Sequence, residues 1–221
     1  MNAKQSAGEK AVEYIGDGMT LGLGTGSTVY YTIIKVAELI KSGMNLKCIS
    51  TSSSTTRLAQ SLNISLLTIN DVDKIDLTID GADEVDKKLN GIKGGGGALL
   101  FEKIVAKNSE LNIWVVDSSK VVKQLGKFPL PVEVIPLASK KLIEDFVSKG
   151  YNPKLRQDNE VVYVTDSGNY IIDLHIGSID KPEEFETSLK LISGVVDSGL
   201  FINVCDRVII GTESGARVID K

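Results

Sequence analysis

Apolar and polar positions along the first two-thirds of this chain switch repeatedly between a period of two and a period near 3.6. MTLGLG, beginning at Met19, reads as a strand, and STVYYTIIKVAELIKSG reads as a helix closed by Gly43. LKCIST is the next strand, STTRLAQSL a short helix and ISLLTI another strand. In KIDLTID the residues Ile75, Leu77 and Ile79 alternate before Asp80, ALLFEKIVAKN has the helical period, and LNIWVVD is a strand ending in an acid. Strands and helices in this alternation predict a parallel sheet wrapped by helices.

After Lys127 the texture changes. FPLPVEVIP carries three of the five prolines, ASKKLIEDFVSKG is an amphipathic helix with a glycine stop, and EVVYVTDSGNYIIDLHI reads as a hairpin around Asp-Ser-Gly-Asn. A helix at PEEFETSLKLI and the segment GVVDSGLF follow. Strand, helix, hairpin, helix is the order of a split α+β unit of the ferredoxin-like kind. The expected fold is therefore α/β: a Rossmann-like open parallel sheet domain over 1–127 plus 199–221, with a smaller ferredoxin-like domain inserted over 128–198. The tail, DRVIIGTESGARVID, reads as two short strands around a glycine turn that return to the first domain.

Composition narrows the function classes. Of 221 residues 42% are hydrophobic and 24% charged, the balance of a globular protein, and the length suffices for a sizeable core. No apolar run approaches the roughly 18 residues that span a bilayer, and charges occupy the N-terminal stretch where a signal peptide is apolar. The expected location is cytoplasmic, with no membrane partner. The formal charge of −4, without a basic patch, argues against nucleic acid and leaves room for small anionic ligands. Cys48 and Cys205 sit in strand-like apolar runs and read as buried reduced thiols. A single histidine, His175, excludes metal sites built on histidine pairs and reads as structural.

Three stretches carry candidate chemistry. GLGTGSTVYY, from Gly22, follows a strand and opens a helix, so its backbone N–H groups suit an anion. It is not a P-loop, because Gly26 rather than Lys precedes Ser27, and the second strand ends in Thr51, Ser52, Ser53 and Ser54 instead of a ribose-binding acid. Those hydroxyls favour a compact polar or phosphorylated ligand. DGADEVD sets Asp80 at a strand end with Asp83, Glu84 and Asp86 in the turn beyond it. IKGGGGALLFEK places Lys93 before four glycines, Gly94 to Gly97, and Glu102 one turn into the next helix. Each stretch alone also fits a tight turn, a solvated acidic turn or an exposed loop. Together they supply carboxylates, a cation and backbone donors, which is equipment for moving a proton next to a carbonyl, as in aldose–ketose isomerisation.

GLGTGST, TSSSTT, TIDGADEVD, IKGGGGALLFEKIVA, VVDSSK, GKFPLPVEVIP and GVVDSGLF, in this order across nearly the whole chain, resemble the type A family of ribose-5-phosphate isomerases. The resemblance implies interconversion of D-ribose 5-phosphate and D-ribulose 5-phosphate in the pentose phosphate pathway, through an enediolate and with neither cofactor nor metal. It implies Glu102 as the general base, assisted by Asp80, Asp83 and Lys93. Substrate contacts would fall on Thr25, Gly26, Ser27, Thr28, Asp80, Gly81, Ala82, Asp83, Lys93, Gly94, Gly95, Gly96 and Lys120, with Lys4 near the phosphate, and the assembly would be a homo-oligomer, a dimer first. A sugar-phosphate sensor and an acyl-CoA transferase with a glutamate nucleophile are the competing readings, and a nicotinamide-dependent dehydrogenase is disfavoured by the missing ribose-binding acid.

Overall fold

Four of the five strands expected in the first part of the chain lie in one sheet, and its order reverses beside the first of them. The computed structural model describes residues 2–221. Along the chain run α1 (Ala3–Ala11), β1 (Thr20–Leu23), α2 (Val29–Lys41), β2 (Lys47–Ser50), α3 (Ser53–Ser61), β3 (Ile75–Asp80), β4 (Glu84–Val85) and β5 (Gly91–Ile92). Next come α4 (Leu99–Lys107), β6 (Ser109–Asp117), β7 (Leu130–Val134), α5 (Ser139–Ser148), β8 (Pro153–Leu155), β9 (Gln157–Asp158) and β10 (Val161–Val162). The last are β11 (Tyr170–Leu174), α6 (Pro182–Lys190), β12 (Val195–Ser198), β13 (Leu200–Phe201), β14 (Arg207–Thr212) and β15 (Gly215–Asp220).

Contacts divide these residues into two compact units, one of residues 2–82, 101–121 and 203–221, the other of 83–100 and 122–202. The first unit holds a six-stranded sheet in the order β15-β14-β6-β3-β1-β2. All pairings are parallel except the closing β14–β15 hairpin. Parallel sheets are covered on both faces, which is why β1 is buried at all four positions and β3 at five of six. Leu21, Leu23, Leu77, Ile79, Ile113, Val115 and Ile209 pack with Val29, Ile33 and Val36, which recur on one face of α2. Burying a side chain of that size contributes about 1.5–3 kcal/mol. The helix stops at Gly43, whose φ of +104° needs no Cβ.

Helix α1 was not expected from hydrophobic periodicity. Its buried face is Ser6, Ala7, Gly8 and Ala11, with the Asn2 side chain accepting from the Gln5 N–H as its cap. Small residues let it lie almost against backbone: a Cβ on Gly8 would stand 2.7 Å from the Thr28 carbonyl oxygen, and one on Gly211 only 1.7 Å from that of Ala3. The expected strand over ISLLTI reduces to one parallel bridge, Cys48 with Leu66, before a 3₁₀ turn at Ile69–Asp71. There the Asp71 carboxylate takes up both the hydroxyl and the N–H of Thr68 and turns the chain.

The second unit holds an antiparallel sheet in the order β12-β7-β11-β8, with α5 and α6 between strands in the predicted split βαβ sequence. Val132, Val134, Ile172, Leu174, Phe146 and Leu189 form its core. A smaller sheet, β13-β5-β4, belongs to the same unit. The divisions expected at 127/128 and 198/199 fall inside this unit rather than at its edges. Val122 N–H bonds to the Val85 carbonyl, Glu84 accepts from the N–H groups of Gly126 and Phe128, and Leu200–Phe201 pair with β5.

The hairpin expected over 160–176 has its turn but not its pairing. Thr165 N–H reaches the Asn169 carbonyl around Gly168, yet Val161–Val162 fold back onto β9, and Tyr170–Leu174 pair with β7 and β8. The buried carboxylate of Glu133 on β7 decides this, because the Thr165 and Ser167 hydroxyls and the Asn169 amide all donate to its Oε1. Both cysteines are buried thiols, and burial pushes that of Cys48 up to about 12. Among the described residues no helix is long and apolar enough to cross a membrane.

Candidate active site

β1 has β2 on one side and β3 on the other, so the carboxyl ends of β1 and β3 flank the point where strand order reverses, the place where open parallel sheets bind ligands. Asp80 ends β3 there, buried to 2% exposure, and its Oδ1 accepts from the N–H of Thr25 at 2.9 Å and of Gly81 at 2.7 Å. Gly24 makes this approach possible, since a Cβ at that position would lie 2.2 Å from Asp80 Oδ1.

Beyond Gly24 the loop turns at Gly26, whose φ is +120°, and leaves Gly26 and Ser27 exposed at the start of α2. Helix starts leave N–H groups without intrahelical acceptors, which suits an anion. The hydroxyls after β2 have another task than the one expected of them. Those of Thr51, Ser52 and Thr55 surround Thr25 Oγ1 at 2.9, 2.8 and 3.2 Å, and Thr55 also donates to the Gly24 carbonyl. They brace the loop.

Cations gather near it. Lys4 Nζ donates to Ser27 Oγ at 2.8 Å. Lys120 ends the 3₁₀ turn that follows β6. Both act on Asp117: burial raises the affinity of its carboxyl for a proton, but the Ser119 hydroxyl and N–H, with the charges of Lys120 and Lys4, carry it below the usual value. Glu102 lies in the first turn of α4 and is only 4% exposed.

The second unit orders the remaining candidates by strand register. Glu84 pairs with Ile92 across β4 and β5, and Asp83 N–H bonds to the Ile92 carbonyl at 2.8 Å, so Asp83 and Lys93 stand at the same end of one small sheet. Lys93 is buried to 2% exposure, with Nζ 5.3 Å from the centre of the Phe201 ring. Gly94 takes φ +103° and Gly97 φ +80°, and the Gly97 N–H closes a turn onto the Gly94 carbonyl at 3.0 Å. Gly95 and Gly96 are exposed, and Gly95 N–H donates to Asp83 Oδ2 at 2.8 Å.

A family model described as Ribose 5-phosphate isomerase A (phosphoriboisomerase A) matches residues 47–215. The chain is 50% identical over 220 residues to "Ribose-5-phosphate isomerase A" of Bifidobacterium adolescentis, covering 99% of this chain and 95% of that protein. The chain belongs to the ribose 5-phosphate isomerase A family. Its fold matches the solved structure of ribose 5-phosphate isomerase A from Methanocaldococcus jannaschii with a TM-score of 0.94 at 38% identity, covering 99% and 98% of the two chains. A D-ribose-5-phosphate isomerase solved in complex with phospho-erythronic acid aligns over 100% of both chains, with a TM-score of 0.94 at 40% identity.

For a member of the ribose 5-phosphate isomerase A family, the predicted residues divide cleanly. Thr25, Gly26, Ser27, Thr28, Asp80, Gly81, Ala82, Glu102 and Lys120 belong to the first unit, whereas Asp83, Lys93, Gly94, Gly95 and Gly96 belong to the second. Sequence reasoning did not single out Thr55, Arg156 or Tyr163, which hold the two loops in place. The threonine lay within a quoted motif, but nothing in a lone arginine among the strands of the second unit announced its task.

Proposed function

We propose that this protein interconverts D-ribose 5-phosphate and D-ribulose 5-phosphate through an enediolate, with Glu102 as the general base. Membership of the isomerase family supports the reaction, and the burial of Glu102 one turn beyond the glycine loop carries the choice of base. In the open-chain aldose the proton on C2 is acidified by the C1 carbonyl. Glu102 removes it, electrons move onto O1, and the same carboxyl returns a proton to C1 as a carbonyl forms at C2. A hydroxyl proton must also pass from O2 to O1, and Asp83 and Lys93 are the groups proposed to move it and to hold the oxyanion. Asp80 is proposed to act on the ring oxygen or its hydroxyl when the furanose opens. Thr25 to Thr28 with Lys120 and Lys4 take the phosphate, and the main chain of Gly81, Ala82 and Gly94 to Gly96 lines the sugar.

The reading extends to a cytoplasmic homodimer that needs neither cofactor nor metal for turnover. It is tested by proton NMR of the protein with ribose 5-phosphate in D₂O containing EDTA. Ribulose 5-phosphate should appear, with deuterium entering at its C1. Folded protein that binds the sugar phosphate yet gives neither product nor exchange would favour the sensor instead. Lys120→Ala should raise KM at least tenfold and leave kcat within about threefold, because a phosphate anchor contributes mainly uniform binding. Steady-state kinetics check it, and a large fall in kcat at unchanged KM would remove Lys120 from that role.

A further inference from the structure

Within the second unit a half-buried arginine grips the glycine loop from the side opposite Asp83. Arg156 connects β8 to β9, with its N–H on the Ile171 carbonyl at 2.8 Å and its own carbonyl accepting from Tyr163 N–H at 2.9 Å. Its guanidinium meets the carboxylate of Asp173 on β11 through two bonds, Nε to Oδ2 at 2.9 Å and Nη2 to Oδ1 at 2.5 Å. The two side chains are 15% and 17% exposed. A fork-to-fork pair of this kind fixes direction as well as distance.

The remaining terminal nitrogen, Nη1, donates to the carbonyls of Gly94 at 2.8 Å and Gly95 at 3.2 Å. A trans peptide is planar, with C=O and N–H pointing opposite ways. Holding the Gly94 carbonyl therefore turns the Gly95 N–H away from Arg156, and that N–H is the one on Asp83 Oδ2. Holding the Gly95 carbonyl likewise turns out the N–H of exposed Gly96. Tyr163 presses on the far end of the loop: its hydroxyl reaches the Gly96 carbonyl at 3.4 Å and would stand 2.2 Å from a Cβ at Gly97. Four glycines in a row have no side chains with which to hold a shape, so the shape is imposed from outside.

We infer that Arg156, clamped by Asp173, is a positioning residue for the isomerisation, setting the direction of Asp83 through the main chain of Gly94 and Gly95. The inference rests on the reading of Asp83 as a proton-moving group. The test is a double-mutant cycle in the full chain between Arg156→Met and Asp83→Asn, read as kcat and KM with thermal unfolding recorded for each variant. Arg156→Met alone should lower kcat about 10–100-fold, the scale of a misplaced catalytic group, with KM changed less than kcat. In the Asp83→Asn background the same change should cost less than about threefold, because both act through one carboxylate. Equal losses in both backgrounds, or wild-type kcat in Arg156→Met, overturn the inference. Should Arg156→Met fail to fold, Arg156→Lys replaces it in the same cycle, keeping the charge without the fork, and the same criteria apply. An Asp83→Asn enzyme with normal kcat overturns the reading of Asp83 itself, which separates that failure from this one.

Discussion

Glu102→Gln is expected to lose about 10²–10⁴-fold in kcat, the usual contribution of a positioned general base, while KM stays within a few-fold. The exchange keeps the shape of the side chain and removes only its ability to take a proton. Glu102 is 4% exposed, so thermal unfolding of the variant is recorded beside its kinetics to show that it still folds. Two measurements check the result together: steady-state turnover, and deuterium wash-in at C1 of the product. Loss of turnover with loss of exchange places the defect at proton abstraction. Turnover within threefold of the parent would sink Glu102 as the base.

The second large effect comes from a residue with no side chain at all. In Gly24→Ala the new methyl would start 2.2 Å from Asp80 Oδ1 and 2.5 Å from its Cα, so strand β3 and its terminal carboxylate must move. Overpacking of this kind costs about 1–3 kcal/mol, and the displaced backbone is also the one that orients Thr25 and Gly81 toward Asp80. Turnover and stability should therefore fall together, with kcat/KM reduced at least a hundredfold and a melting temperature several degrees lower. Gly18→Ala is the control: its φ of +81° is unsuited to Ala, but nothing lies within 4 Å of its added carbon. It should lose stability and keep kcat. A Gly24→Ala enzyme with parental kinetics would show that the loop and strand end can separate without consequence.

Most of the sheet was legible because its strands follow a simple rule. The alternating Ile75, Leu77 and Ile79 and the apolar run Ile113–Val116 are buried, and each strand ends in an acid at the carboxyl edge. Helices α2 and α5 announced themselves by a spaced apolar face and a glycine stop. What escaped was structure held by small or polar groups. Helix α1 packs through Ser6, Ala7 and Gly8, which carry no hydrophobic period. The segment after Thr165 turns as its sequence says, but a buried glutamate 32 residues earlier decides which strands it joins.

The site shows the same division. Asp80 and Glu102 could be placed from strand ends and helix turns, and the motifs of the family named the rest. The hydroxyls of Thr51 and Ser52, read as favouring a phosphorylated ligand, bond to Thr25 in the structure, and that of Thr55 joins them. Side chain to side chain bonds across 26 to 30 residues leave no periodic trace in a sequence. Lys4 lies outside the quoted motifs, and its bond to Ser27 depends on how closely α1 lies along α2.

The pairing of β14 with β6, and the near-contact of Gly211 with Ala3, also set an order for biosynthesis. A ribosome releases Ala3 some two hundred residues before the strand that must lie against it. Until then the outer edge of β6 is an open row of backbone donors and acceptors, and α1 has no surface for one side. The nascent chain must therefore be kept from pairing that edge with a neighbour from the completion of β6 until β14 is made, and a product that stops short of Arg207 would expose it permanently.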